Sequence, residues 1–81
     1  MGRSRRNRPK LLGRKLLGIR QNLGMSQTEM AKALGLKVHY SAVSNYEWGT
    51  REPDLLIVLS YARLAGVSME VLVDDKLKLP K

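Results

Sequence analysis

Residues 26–49, SQTEMAKALGLKVHYSAVSNYEWG, restrict what this chain can fold into more than any other stretch. Ser26 is a good helix N-cap, and Glu29 stands three residues later, the spacing of a capping box. Met30, Ala31 and Leu34 then recur at helical spacing and give that helix one apolar face. Gly35 can end it by adopting a positive φ. A second short helix is predicted over Tyr40–Trp48, with Val43 and Tyr46 as its buried stripe. Its other positions, Tyr40, Ser41, Ser44 and Asn45, carry hydrogen-bonding groups and are expected to face outward. Two short helices joined by a tight turn, the second with small polar side chains on its free face, make a helix-turn-helix.

At these residues the chain resembles a known family. Met25-Ser26-Gln27, Met30-Ala31, Leu34-Gly35, Val43-Ser44, Tyr46-Glu47-x-Gly49 and Pro53 are similar to the lambda-repressor-like, or XRE/Cro-type, helix-turn-helix domain. The resemblance runs over about residues 12–72 and combines several spaced motifs. One departure stands out: between Gly35 and Val43 the chain carries two residues more than the family's usual turn.

The rest of the chain fits an all-α bundle of about five short helices. A first helix is expected over about residues 10–23, with Leu12, Leu16, Ile19 and Leu23 on one face. Leu11 and Leu17 lie off that stripe. Gly13 and Gly18 each cost about 1 kcal/mol of helix propensity. Their spacing imitates the start of a phosphate-binding loop, but Ile19-Arg20 replaces the Lys-Ser/Thr that would grip phosphate and magnesium. Asp54 is an expected N-cap for a fourth helix ending at Gly66, with Leu55, Val58, Leu59, Ala62 and Ala65 inward. Ser68 should cap a fifth, from Met69 to about Val73. The expected organisation is a flexible basic arm over 1–10, one domain over 11–73 and a tail over 74–81.

Charge narrows the partner. The formal net charge is +8, and eight of the fifteen basic residues lie in the first twenty positions. Such a balance favours a polyanion, nucleic acid first and anionic lipid second. With no cysteine there is neither a disulfide nor a thiolate zinc site, so helix packing must supply the stability. The longest apolar run, residues 55–59, is too short to span a bilayer. The start of the chain lacks a secretory h-region, and Arg6 stands where a myristoylation motif needs Ser or Thr. A soluble cytoplasmic, nucleoid-associated protein is expected.

An enzyme is not. The single histidine, His39, has no cysteine or nearby carboxylate beside it, and is expected as a turn residue or a cap. No metal-ligand cluster, dinucleotide fingerprint or nucleophile motif occurs, so no cofactor is expected.

The resemblance assigns roles residue by residue. Asn45 matches a base-reading position, and Tyr40, Ser41 and Ser44 share its face. An asparagine can bridge N6 and N7 of adenine in the major groove. Gln27, at a helix start whose free amides and dipole suit a phosphate, matches the family's backbone clamp. Arg20 and Glu47 match a structural pair that would aim spare guanidinium donors at a phosphate. Arg51, in the loop after the third helix, is a further phosphate candidate, as are Arg3, Arg5, Arg6 and Arg8 in the arm. Trp48 stands at a position that is usually polar, and is expected as a half-buried ring at the core edge or a dimer contact.

The function these readings imply is a sequence-specific regulator of transcription that binds double-stranded DNA as a homodimer, with the fifth helix (Met69, Val71, Leu72 and Val73) and the tail as the expected dimer contact. Repression by excluding polymerase is the expectation, and activation is equally compatible. A protein-interaction module of the same fold, such as an antitoxin or coactivator, is the alternative. A polar outer face on the third helix and a basic arm favour DNA over it. Single-stranded RNA would want more stacking aromatics than one Trp and three Tyr.

Overall fold

A computed structural model of the chain describes residues 9–35 and 39–80. Five helices follow one another: α1 Leu12–Asn22, α2 Gln27–Ala33, α3 Tyr40–Trp48, α4 Leu55–Ala65 and α5 Met69–Val73. No strand occurs among the described residues. Residues 1–8 of the expected arm and residues 36–38 of the stretch between Gly35 and Val43 lie outside them.

Local chemistry sets most boundaries. Ser26 Oγ accepts from the Glu29 amide at 3.0 Å while Glu29 Oε1 accepts from the Ser26 amide at 2.8 Å, so α2 opens with a complete capping box. His39 caps α3 through Nδ1, and Asp54 Oδ1 accepts from the Ile57 amide at 2.9 Å to start α4. Gly35 follows α2 with φ +67, and Gly49 closes α3 with φ +79. These are left-handed values that cost glycine nothing.

The third helix sits centrally and packs on both α1 and α2, while α4 and α5 close the other side against α1. Leu16, Met30, Val43, Tyr61 and Leu72, one from each helix, are fully buried. Two apolar stripes differ from the sequence expectation. Leu23 is exposed, because α1 ends at Asn22 and Leu23 is its C-cap. In α4 the inward face is Ile57, Val58, Tyr61 and Ala62, leaving Leu55 and Leu56 each 71% exposed. Tyr61, fully buried, belongs to this face, and Leu55, in the helix's first turn, lies off it.

Two polar residues unassigned in the sequence brace the ends of the bundle. Lys15 is only 6% exposed, and its Nζ donates to the carbonyls of Val71 at 2.7 Å and Asp74 at 2.9 Å. It thereby satisfies orphan carbonyls at the end of α5. Lys15→Met, which keeps the volume and removes the donors, should lower stability by about 2 kcal/mol in urea titration. In the opposite direction, Asp75 accepts from the amides of Lys10 at 2.9 Å and Leu11 at 3.0 Å, where α1 has no cap of its own. Residues 74–80 are therefore tied to the domain, and Leu79 packs on the core.

These caps make stability acid-sensitive. The Lys10 and Leu11 amides hold the Asp75 carboxyl below its ordinary range, and the Ser26 amide and hydroxyl do the same for Glu29. Each group binds its proton more weakly folded than unfolded. Its contribution is thus complete above the ordinary carboxylate range and is lost as pH falls through the depressed folded value. The melting temperature should fall from about pH 5 downward. The double variant Asp75→Asn, Glu29→Gln should lose less over that interval than the parent chain.

Candidate nucleic-acid interface

Burial of Ala42, Val43 and Tyr46 fixes the rotation of α3. The opposite side then presents Ser41, Ser44, Asn45 and Trp48, spaced i, i+3, i+4 and i+7. Ser41 and Asn45 are exposed, Ser44 is half-buried and Tyr40 is half exposed at the helix start. Trp48 is 80% exposed, which corrects the expectation of a half-buried ring. Two positions beyond buried Tyr46, it points to the far side of the helix.

The polar side chains on this face are partly ordered. Ser41 Oγ lies 3.1 Å from His39 Nδ1, and the His39 and Tyr40 rings meet at a tilt of 38° with centroids 4.4 Å apart. Thr50, which the sequence reading did not single out, donates from Oγ1 to Asn45 Oδ1 at 3.1 Å. That contact orients the carboxamide and leaves its NH2 and one oxygen lone pair for another partner.

Behind this face α1, α2 and α3 meet in one hydrogen-bonded group. Arg20 Nε donates to Glu47 Oε2 at 2.6 Å and Arg20 NH2 to Glu47 Oε1 at 3.1 Å, a bidentate pair. Arg20 NH1 donates to the Met25 carbonyl at 3.0 Å, and Gln27 Nε2 donates to Glu47 Oε1 at 3.1 Å. Gln27 is therefore turned toward Glu47, with one amide hydrogen left over. The hydrogen bond to Glu47 raises the Arg20 guanidinium above its ordinary value against the opposing effect of burial. The guanidinium stays charged. Tyr61, fully buried, has a hydroxyl without a partner among the described residues, and burial, with Glu47 next, pushes it well up.

Arg51 lies over the Tyr46 ring, its guanidinium carbon 5.9 Å from the centroid, a cation–π contact that sets its direction. An open groove of about 540 Å³ runs between the start of α1 and the end of α3, with Lys10, Arg14, Trp48 and Arg51 on its walls. Pro9, the first described residue, also lines it. Arg3, Arg5, Arg6 and Arg8 lie outside the described residues. Among those described, no group of three His, Cys, Asp or Glu could hold a metal, and no helix is long and apolar enough to cross a membrane.

The chain has recognisable relatives. The profile of a helix-turn-helix family matches residues 16–72. Among solved structures, the P22 c2 repressor protein in complex with synthetic operator 9T in the presence of Tl+ superposes with a TM-score of 0.72 at 24% identity, over 82% of this chain and 97% of that one. The restriction-modification controller protein C.AhdI from Aeromonas hydrophila superposes with a TM-score of 0.65 at 30% identity, over 75% of this chain and 89% of that one. No curated protein sequence matches significantly.

Proposed function

The chain belongs to the lambda-repressor-like helix-turn-helix family, and from that premise we propose that it is a sequence-specific double-stranded-DNA-binding regulator of transcription, acting as a repressor with α3 in the major groove. The observation that carries this reading is the outward face of α3, where exposed Ser41 and Asn45 and half-buried Ser44 present hydrogen-bonding groups. Tyr40 sits at the leading end, able to touch a thymine methyl with its ring or a phosphate with its hydroxyl. The Arg20–Glu47–Gln27 group fixes α3 against α1 and α2, so base readers and backbone contacts move as one rigid unit. Arg20, Gln27 and Arg51 are phosphate contacts within the domain, and Arg3, Arg5, Arg6 and Arg8 add positive charge beyond it. The net charge of +8 supplies affinity by counterion release, and α3 supplies discrimination. The protein works in the cytoplasm on the nucleoid, without a cofactor or a catalytic step of its own.

A homodimer completes the proposal. Of the expected contact on α5 only Val73 is exposed, since Leu72 is fully buried and Met69 and Val71 are half-buried. What remains exposed beside a second groove is Leu55 and Val73, with Leu56 next to them. This apolar surface suits a second copy.

Selection of bound sites from a random duplex library tests both parts. The recovered site should have two-fold symmetry, with half-sites about 10 base pairs apart or a multiple of that. On that site Asn45→Ala should cost about 1–3 kcal/mol, and far less on random duplex. Equal losses on both would remove Asn45 from base reading.

A further inference from the structure

We propose that the groove between the start of α1 and the end of α3 seats a sugar-phosphate strand of the duplex, with Trp48 packed on deoxyribose and Arg14 and Lys10 on phosphates; the proposal rests on the DNA-binding reading above. Trp48 continues the Ser41, Ser44, Asn45 stripe by one more turn, so a duplex lying along that face reaches the indole next. An indole that is 80% exposed is an uncommon use of the largest apolar side chain. Its flat ring suits the apolar face of a deoxyribose, and its N–H can donate to a phosphate oxygen.

The charge around the ring selects the occupant. Lys10, Arg14 and Arg51 line the groove together with two carboxylates, of which Glu47 is already neutralised by Arg20. An acidic strand is complementary to that wall. The groove also borders Pro9, where the basic segment joins the domain. Arg51 after α3, Arg14 on α1 and Lys10 just before it lead toward the root of the arm, a path suited to a continuous polyanion.

Trp48 is the only tryptophan, so its emission reports on this groove alone. The full chain would be titrated with a short mixed-sequence duplex, with binding followed independently by anisotropy of a dye on the DNA. At saturation, acrylamide quenching of Trp48 should fall severalfold. Trp48→Ala should leave the melting temperature unchanged and weaken the mixed-sequence and selected duplexes alike, by roughly ten-fold. Arg14→Gln should flatten the log–log salt dependence by about 0.9, one phosphate contact. If anisotropy reports binding while Trp48 stays open to acrylamide, or if both variants bind like the parent, the groove is not the strand's seat and the DNA reading survives. Protection of Trp48 that grows with protein concentration in the absence of DNA would assign the ring to a second copy and overturn the proposal. Absence of duplex binding by anisotropy would remove the DNA reading itself, and the proposal with it.

Discussion

Glu47→Ala should lower the melting temperature by roughly 10–25 °C, the consequence of losing about 2–4 kcal/mol in a domain of this size. The Glu47 side chain is 6% exposed and that of Arg20 is 17%, so the pair lies between a surface ion pair and a fully dry one. Surface pairs contribute little, whereas stranding one charge of a buried pair costs about 3–5 kcal/mol. Arg20 retains its bond to the Met25 carbonyl and some water, which places the expected loss below the top of that range. Glu47 also holds the Gln27 amide, so its removal loosens the start of α2 as well as the end of α3. Duplex affinity should fall too when measured well below the melting temperature, because base readers and clamp lose their common anchor. A cycle with Arg20→Ala should return a large coupling, short of the whole single-variant effect by what the Gln27 contact contributes. A melting temperature within about 2 °C of the parent would mean that water replaces the pair at no net cost.

How much of this was readable beforehand depends on the range of each interaction. The bounds of α3 and the capping box of α2 follow from neighbours within four residues, and a sequence displays those directly. The alternation that exposes Ser41 and Asn45 is equally local. Asp75 holding the Lys10 and Leu11 amides is a contact across more than sixty residues, which no periodicity can reveal. Lys15 is an intermediate case. It occupies the i+3 position of the Leu12, Leu16, Ile19 stripe, so a charge on the buried face was visible, but its carbonyl partners at Val71 and Asp74 were not. Helical spacing alone admits two overlapping faces of α4, one that includes Leu55 and one that includes Tyr61, and the structure buries the second. Which face is buried is settled by packing against other helices, which spacing within α4 does not display. The chemistry of Trp48 suggests a ring at the core edge or a dimer contact, whereas the phase set by Tyr46 sends it outward.

The two glycines of α1 have the same helix propensity and should respond to alanine with opposite signs. Gly18→Ala places a methyl 3.6 Å from Leu79 Cδ1, an ordinary contact with a side chain that can adjust. The propensity gain should then prevail, raising stability by roughly 0.5–1 kcal/mol. At Gly13 a Cβ would fall 2.6 Å from the Glu47 carbonyl oxygen and 2.9 Å from that of Tyr46. Both are backbone atoms, so no rotamer change relieves the overlap and α1 must move away from α3. Overpacking of this kind costs about 1–3 kcal/mol and more where backbone has to shift, which outweighs a propensity gain of about 1 kcal/mol. Because Glu47 is at the point of contact, separating the helices also stretches its bonds to Arg20 and Gln27. We expect Gly13→Ala to destabilise by about 3 kcal/mol, measured by urea unfolding beside Gly18→Ala. If both variants were stabilised alike, the close approach of α1 to α3 would not be part of the folded state, and Gly13 would be an ordinary weak helix former.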